Sequence, residues 1–155
     1  MTKKIIFNEN NQKEFYKNKN HILVVEDEPT IREIIGMMIN MLGYGDVTYK
    51  ENGFEAYSSI KEKVEKNKYK PFDLIMTDND MPKMDGVEFL YALDDLNILN
   101  QHRYMLVTGD VNLMKKRLDG LLDKSISTSI QKPLSIENLD YKINNLLKQP
   151  IKYHI

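Results

Sequence analysis

The sequence predicts an α/β fold, a doubly wound five-stranded parallel sheet with helices on both faces. Two observations predict it. Short apolar, β-branched runs alternate five times with segments of helical apolar spacing, which implies a parallel sheet covered on both sides and joined by right-handed crossovers. Four of the runs stop abruptly on a polar residue, and in such sheets ligand sites lie beyond the C-terminal ends of the strands.

The chain has 155 residues, enough for one domain with a proper core. Charged residues make up 29% and the formal net charge is −1, so nothing suggests a nucleic-acid partner. With no cysteine, there can be no disulfide, thiolate metal site or cysteine nucleophile. The longest apolar stretch, Ile34 to Leu42, is broken by Gly36 and Asn40 and is too short to cross a bilayer. No signal-peptide pattern follows Met1, so the expected location is cytoplasmic.

Residues 1–20 are rich in Asn and Lys and lack sustained periodicity, which predicts a flexible N-terminal arm. A docked extra element anchored by Ile5, Ile6, Phe7, Phe15 and Tyr16 is the alternative. The main domain is expected over 21–149, with a tail at 150–155. Its first strand, His21 to Val25, stops at Glu26-Asp27-Glu28. Pro29 suits a first helical turn, and Ile31, Ile34, Ile35, Met38 and Met41/Leu42 then recur at helical spacing as a core stripe. Gly43-Tyr44-Gly45 ends that helix, and Asp46 to Tyr49 is a short second strand.

Asn52-Gly53 turns into a helix from about Phe54 to Asn67, and Pro71 closes that segment. Phe72 to Thr77 is the third strand, delivering Asp78. A short helix from Val87 to about Asp95 follows Gly86, and Tyr104 to Thr108 is the fourth strand. A helix from about Asn112 to Leu122 leads to a fifth strand, Ile126 to Gln131, ended by Lys132-Pro133. Ser135 starts a final helix with an apolar stripe of Ile136, Leu139, Ile143 and Leu146/Leu147.

The strand exits thus supply Glu26/Asp27, Asp78, Thr108 and Lys132. Read singly, these residues are a helix start, a turn, a strand residue and a loop. Together they form a chemical set. Three converging carboxylates repel one another and call for a cation, and oxygen ligands favour a hard ion, Mg²⁺. Asp78 beside such an ion can attack phosphorus in line. Lys132 adds a point charge for the phosphoryl oxygens, and the Thr108 hydroxyl can donate to one of them.

Over residues 21 to 149 the chain resembles the receiver domains of two-component response regulators, in particular stand-alone, chemotaxis-regulator-like ones. The likeness rests on Ile22 to Pro29, on Asp73 to Pro82 with Met84-Asp85-Gly86, on Val107-Thr108-Gly109, and on Lys132-Pro133. It implies a flavodoxin-like strand order, 2-1-3-4-5. It also implies that Asp78 accepts a phosphoryl group from a sensor histidine kinase or a histidine phosphotransfer protein. Asp27 and Asp78 would bind Mg²⁺ directly, Glu26 through water, and the Asp80 backbone carbonyl would complete the protein ligands. Thr108 and Lys132 would read the phosphoryl group and switch a surface that binds a downstream protein, and the Lys132-Pro133 bond would be cis.

Such a protein is a phospho-acceptor module that catalyses only its own phosphorylation and dephosphorylation, as a monomer or weak dimer. The chain ends at Ile155, soon after the last helix, so no output domain is expected after it. Two departures stand out. Ser129 occupies a position where many receivers carry Tyr or Phe, and Asp80 and Asp110, which the likeness makes tuners of phosphoryl loss, are both acidic. The alternatives are a phosphorylation-independent scaffold receiver and a haloacid-dehalogenase-like phosphatase built on Asp78-Asn79-Asp80. Pro82 stands where that second family usually has Thr or Val.

Overall fold

The computed structural model describes residues 2–7, 13–18, 20–67 and 72–151, with backbone only for the first two segments and for residues 67, 122 and 126. Strands β1 (Thr2–Phe7) and β2 (Lys13–Asn18) pair antiparallel, and β1 lies against α1 (Pro29–Leu42) and β4 (Gly45–Lys50). Both strands fall within the segment read from the sequence as an N-terminal arm. Pro71 and the tail beyond Ile151 lie outside the described residues.

The main sheet contains β3 (Asn20–Val25), β4, β5 (Leu74–Asp78), β6 (Arg103–Thr108) and β7 (Ile126–Gln131). The order across it is β4-β3-β5-β6-β7, all pairs parallel. Numbered within the sheet alone, that is 2-1-3-4-5, as expected. Alternate residues of each strand face opposite sides. Leu23, Val25, Ile75, Tyr104 and Leu106 pack against α2 (Gly53–Asn67), α3 (Gly86–Asp95) and α4 (Val111–Arg117). Ile22, Val24, Leu74, Met76, Met105 and Val107 pack against α1 and α5 (Ile136–Lys148). Two apolar layers thus hold the sheet between helices on both faces.

Two helices depart from expectation. In α1 the buried stripe runs through Ile35 and Ile39, with Ile31, Met38 and Leu42 at its margins. Ile34 is 46% exposed and Met41 67%, so neither belongs to the predicted core stripe. The reason is tertiary. Gly36 lies so close to Tyr49 that a Cβ there would overlap the phenol, so the face of the helix that carries Ile35, Gly36 and Ile39 is the buried one. Gly43 ends α1 in the left-handed conformation, φ 73°, with its N–H on the Ile39 and Asn40 carbonyls.

α4 stops at Arg117, earlier than the Leu122 the spacing predicts. Gly120, at φ 78°, turns the chain, and a short 3-10 segment, Leu122–Lys124, leads into β7. At the other end Asp110 caps α4 by accepting from the Leu113 N–H at 3.0 Å. The Lys132-Pro133 bond is cis, as the resemblance implied.

Candidate functional site

The site lies at the C-terminal edge of the sheet, where β3, β5, β6 and β7 end together. Glu26 directly follows β3, and its N–H donates to the Lys50 carbonyl at 3.1 Å, tying it to the end of β4. Glu26 is 1% exposed. One carboxylate oxygen, Oε1, accepts from the Glu28 N–H at 3.2 Å, and the other, Oε2, lies 3.4 Å from Lys132 Nζ. Asp27 is exposed beside it.

Asp78 closes β5, the central strand, and is 5% exposed. Its Oδ1 accepts from the Asn79 N–H at 2.8 Å and lies 3.2 Å from Lys132 Nζ. The loop that follows folds back onto the strand end. The Gly86 N–H donates to the Asn79 carbonyl at 3.0 Å, and Asn79 Oδ1 accepts from the Val87 N–H at 3.3 Å. A Cβ on Gly86 would overlap the Asp78 carbonyl oxygen, so only glycine lets α3 start this close to the strand. Asp85 then forms a capping box with Glu88.

Glu26, Asp27 and Asp78 each offer a carboxylate oxygen, all within 4.8 Å of one another. Burial raises the Asp78 pKa, and the Lys132 ammonium opposes that shift. Burial also raises Glu26, with the Asp78 charge adding to it and the Glu28 N–H and Lys132 opposing. For Lys132 burial favours loss of the proton, yet the Asp78 and Glu26 carboxylates outweigh it and the net direction is upward. One ammonium facing three carboxylates leaves an excess of negative charge. All donors are oxygens, so a hard divalent cation fits.

Thr108 reaches the same edge and is 4% exposed, but its hydroxyl meets Asp110 rather than Asp78: Oγ1 accepts from the Asp110 N–H at 3.1 Å. The Lys132 N–H donates to the Thr108 carbonyl at 2.9 Å, linking the β6 end to the lysine loop. Asp80 is exposed in the loop, where its carboxylate accepts from Asn79 Nδ2 at 3.2 Å. That carboxylate stands outside the three-carboxylate cluster.

Two residues were not singled out from the sequence. Arg32 donates from Nη1 to the Glu26 carbonyl at 2.7 Å and pairs with Glu51 at 3.7 Å, bracing the β3 exit. No spacing marks it, because its strongest partner is a backbone oxygen. Asn79 is the hinge of the loop described above. A buried Asn placed before Pro82 and Gly86 was the one available signal, and the flanking aspartates masked it.

This geometry has a family counterpart. The response regulator receiver domain, as a family, matches residues 22–144. The chain belongs to the response regulator receiver family. This receiver is 29% identical over 126 residues to Chemotaxis protein CheY1 of Helicobacter pylori (strain J99 / ATCC 700824), covering 81% of this chain and 95% of that one. It is 28% identical over 127 residues to the response regulator receiver protein CpdR of Brucella abortus (strain 2308), again covering 81% and 95%. Among solved structures, the Francisella response regulator 1452 receiver domain superposes with a TM-score of 0.65 at 27% identity, covering 84% of this receiver and 98% of that domain. Among the described residues, no helix is long and apolar enough to cross a membrane.

Proposed function

We propose that this receiver accepts a phosphoryl group on Asp78 from the phosphohistidine of a sensor kinase or phosphotransfer protein, and that the modification switches a protein-binding surface. The observation that carries this reading is Lys132 Nζ, 3.2 Å from Asp78 Oδ1 and 3.4 Å from Glu26 Oε2. A cation set against a buried carboxylate keeps it ionised and nucleophilic, and the same charge suits the oxygens of an incoming phosphoryl group.

In the transfer, the bond from phosphorus to Asp78 oxygen forms as the bond from phosphorus to imidazole nitrogen breaks. The electron pair returns to the imidazole. Asp27, Asp78 and the Asp80 carbonyl would hold Mg²⁺, with Glu26 acting through water, and the ion would offset both the carboxylate cluster and the phosphoryl charge. In support, the Asp80 carbonyl accepts no hydrogen bond among the described residues. The Thr108 hydroxyl lies one strand away from Asp78, and its exchange of Asp110 for a phosphoryl oxygen would carry the signal to α4, which Asp110 caps.

The test is intact mass after incubation with acetyl phosphate and Mg²⁺. One added phosphoryl group is expected in the parent protein, and none in Asp78→Asn or without metal. A parent protein that stays unmodified both here and with a phosphorylated histidine donor would end this reading.

A further inference from the structure

α1 starts without a side-chain cap. Its N-cap, Glu28, is extended at φ −82° and ψ 116° and makes no side-chain capping bond, and Pro29 follows. The turn out of β3 is held from inside the helix instead. The Arg32 N–H donates to the Glu28 carbonyl at 3.0 Å, and the Arg32 guanidinium reaches back to the loop. Nη1 donates to the Glu26 carbonyl at 2.7 Å and lies 3.5 Å from the Asp27 carbonyl, while Nη2 lies 3.7 Å from Glu51, just past β4.

The carbonyls of Glu26 and Asp27 belong to the two peptide planes that flank the Asp27 Cα. A planar fork that engages both fixes those planes, and so the direction in which the Asp27 carboxylate leaves the backbone. Asp27 is exposed, so packing does little to hold it. The Arg32 side chain is 16% exposed against 66% for Glu51, which puts the weight of the contact on the loop carbonyls rather than on the ion pair.

We infer that Arg32 is a positioning residue for the divalent cation, ordering Asp27 beside Glu26 and Asp78 before the ion arrives. The inference rests on the reading of the three-carboxylate cluster as a Mg²⁺ site and adds a residue that acts through the backbone. Charge and geometry predict opposite signs. A guanidinium near the cluster repels a cation, so its charge alone weakens Mg²⁺ binding. Its hold on the loop strengthens binding, because an ion that meets ordered ligands does not have to order them.

The test is calorimetric Mg²⁺ binding by the full chain, without a phosphoryl donor. Arg32→Met should raise the dissociation constant about tenfold. Arg32→Lys, which keeps the charge and loses the fork, should do the same, and Glu51→Gln should change it by about twofold at most. In the metal-free protein, amide exchange should quicken in Arg32→Met at Glu28, whose N–H donates to the Glu26 carboxylate. It should keep its rate at Lys132, whose N–H donates to the Thr108 carbonyl.

Unchanged or tighter Mg²⁺ binding in Arg32→Met would overturn the proposal. So would parent affinity in Arg32→Lys, which would mark a charge effect, or equal quickening at both amides, which would mark a general loss of structure. If Arg32→Met does not fold, Arg32→Lys carries the test by itself. Acetyl phosphate labelling of Asp78 in the same samples separates the two readings. A parent that binds Mg²⁺ but takes no phosphoryl group removes the phosphorylation reading and leaves this inference to the variants. A labelled parent whose Arg32 variants bind Mg²⁺ equally well removes this inference alone, and a parent that binds no Mg²⁺ removes it as well.

Discussion

Arg117, the last residue of α4, donates from Nη2 to the Asp85 carboxylate at 2.8 Å. Asp85 is also the cap of α3, accepting from the Glu88 N–H at 2.8 Å. One carboxylate thus joins the loop after Asp78 to the helix after Thr108, and Tyr91 reinforces the join by donating to the Arg117 carbonyl at 3.1 Å.

The two partners should differ in effect. Arg117→Ala removes a partly exposed pair and is expected to destabilise the fold by no more than about 1 kcal/mol. Asp85→Ala removes the pair and the cap, adding about 0.5–2 kcal/mol to that loss. Urea unfolding of both single variants and the double variant measures the difference. Equal effects of the two single variants would show that the cap contributes little.

Lys132→Met should slow phosphoryl uptake while leaving Asp78 in place. A hydrogen bond to a charged group contributes about 1.5–3 kcal/mol, which corresponds to about tenfold to a hundredfold in rate. The check is the rate of mass gain with acetyl phosphate at saturating Mg²⁺. An unchanged rate would mean that the ammonium serves the fold alone.

Burial raises both Glu26 and Asp78, and this sets the sign of a pH effect. A carboxyl that binds its proton more tightly when folded makes unfolding harder as pH falls. Its ionised form weighs against the fold at neutral pH, and that weight is relieved as pH falls from the raised pKa toward the ordinary carboxyl values of 4.5 and 3.8. Without Mg²⁺, Glu26→Gln and Asp78→Asn should therefore be more stable than the parent at pH 7, and the gap should close with acidification. Thermal unfolding from pH 7 to pH 4 tests this. Mg²⁺ at about a hundred times its dissociation constant should add about 2.7 kcal/mol to the parent, and chelation should reverse the gain.

Asp80 and Asp110 flank the site, one exposed beside Asp78 and the other bonded through its N–H to the Thr108 hydroxyl. The double variant Asp80→Asn, Asp110→Ala should change the lifetime of the phosphorylated protein, because both charges bear on an attacking water. The decay of the phosphorylated mass after removal of the donor gives the lifetime. Asp110→Ala also removes the α4 cap, so Asp110→Asn, which keeps that hydrogen bond, separates the charge effect from the structural one. Identical decay in all variants would dismiss both residues.

Local chemistry alone determined the alternation of strands and helices, the polar residues at four strand exits and the receiver likeness. Apolar period, Pro29, Gly43 and Gly86 act on near neighbours, so their meaning survives without a tertiary context. Tertiary structure decided what depends on distant partners. Glu26 and Lys132 meet across 106 positions of chain, and only the sheet order makes them adjacent. Packing of Ile35 and Ile39 on the sheet, with Gly36 against Tyr49, leaves Ile34 and Met41 outside although their spacing is helical. The Lys132 N–H reaches the Thr108 carbonyl because β6 and β7 pair in register. Periodicity fixes which elements form, while burial, decided by the whole chain at once, fixes which of their faces meet.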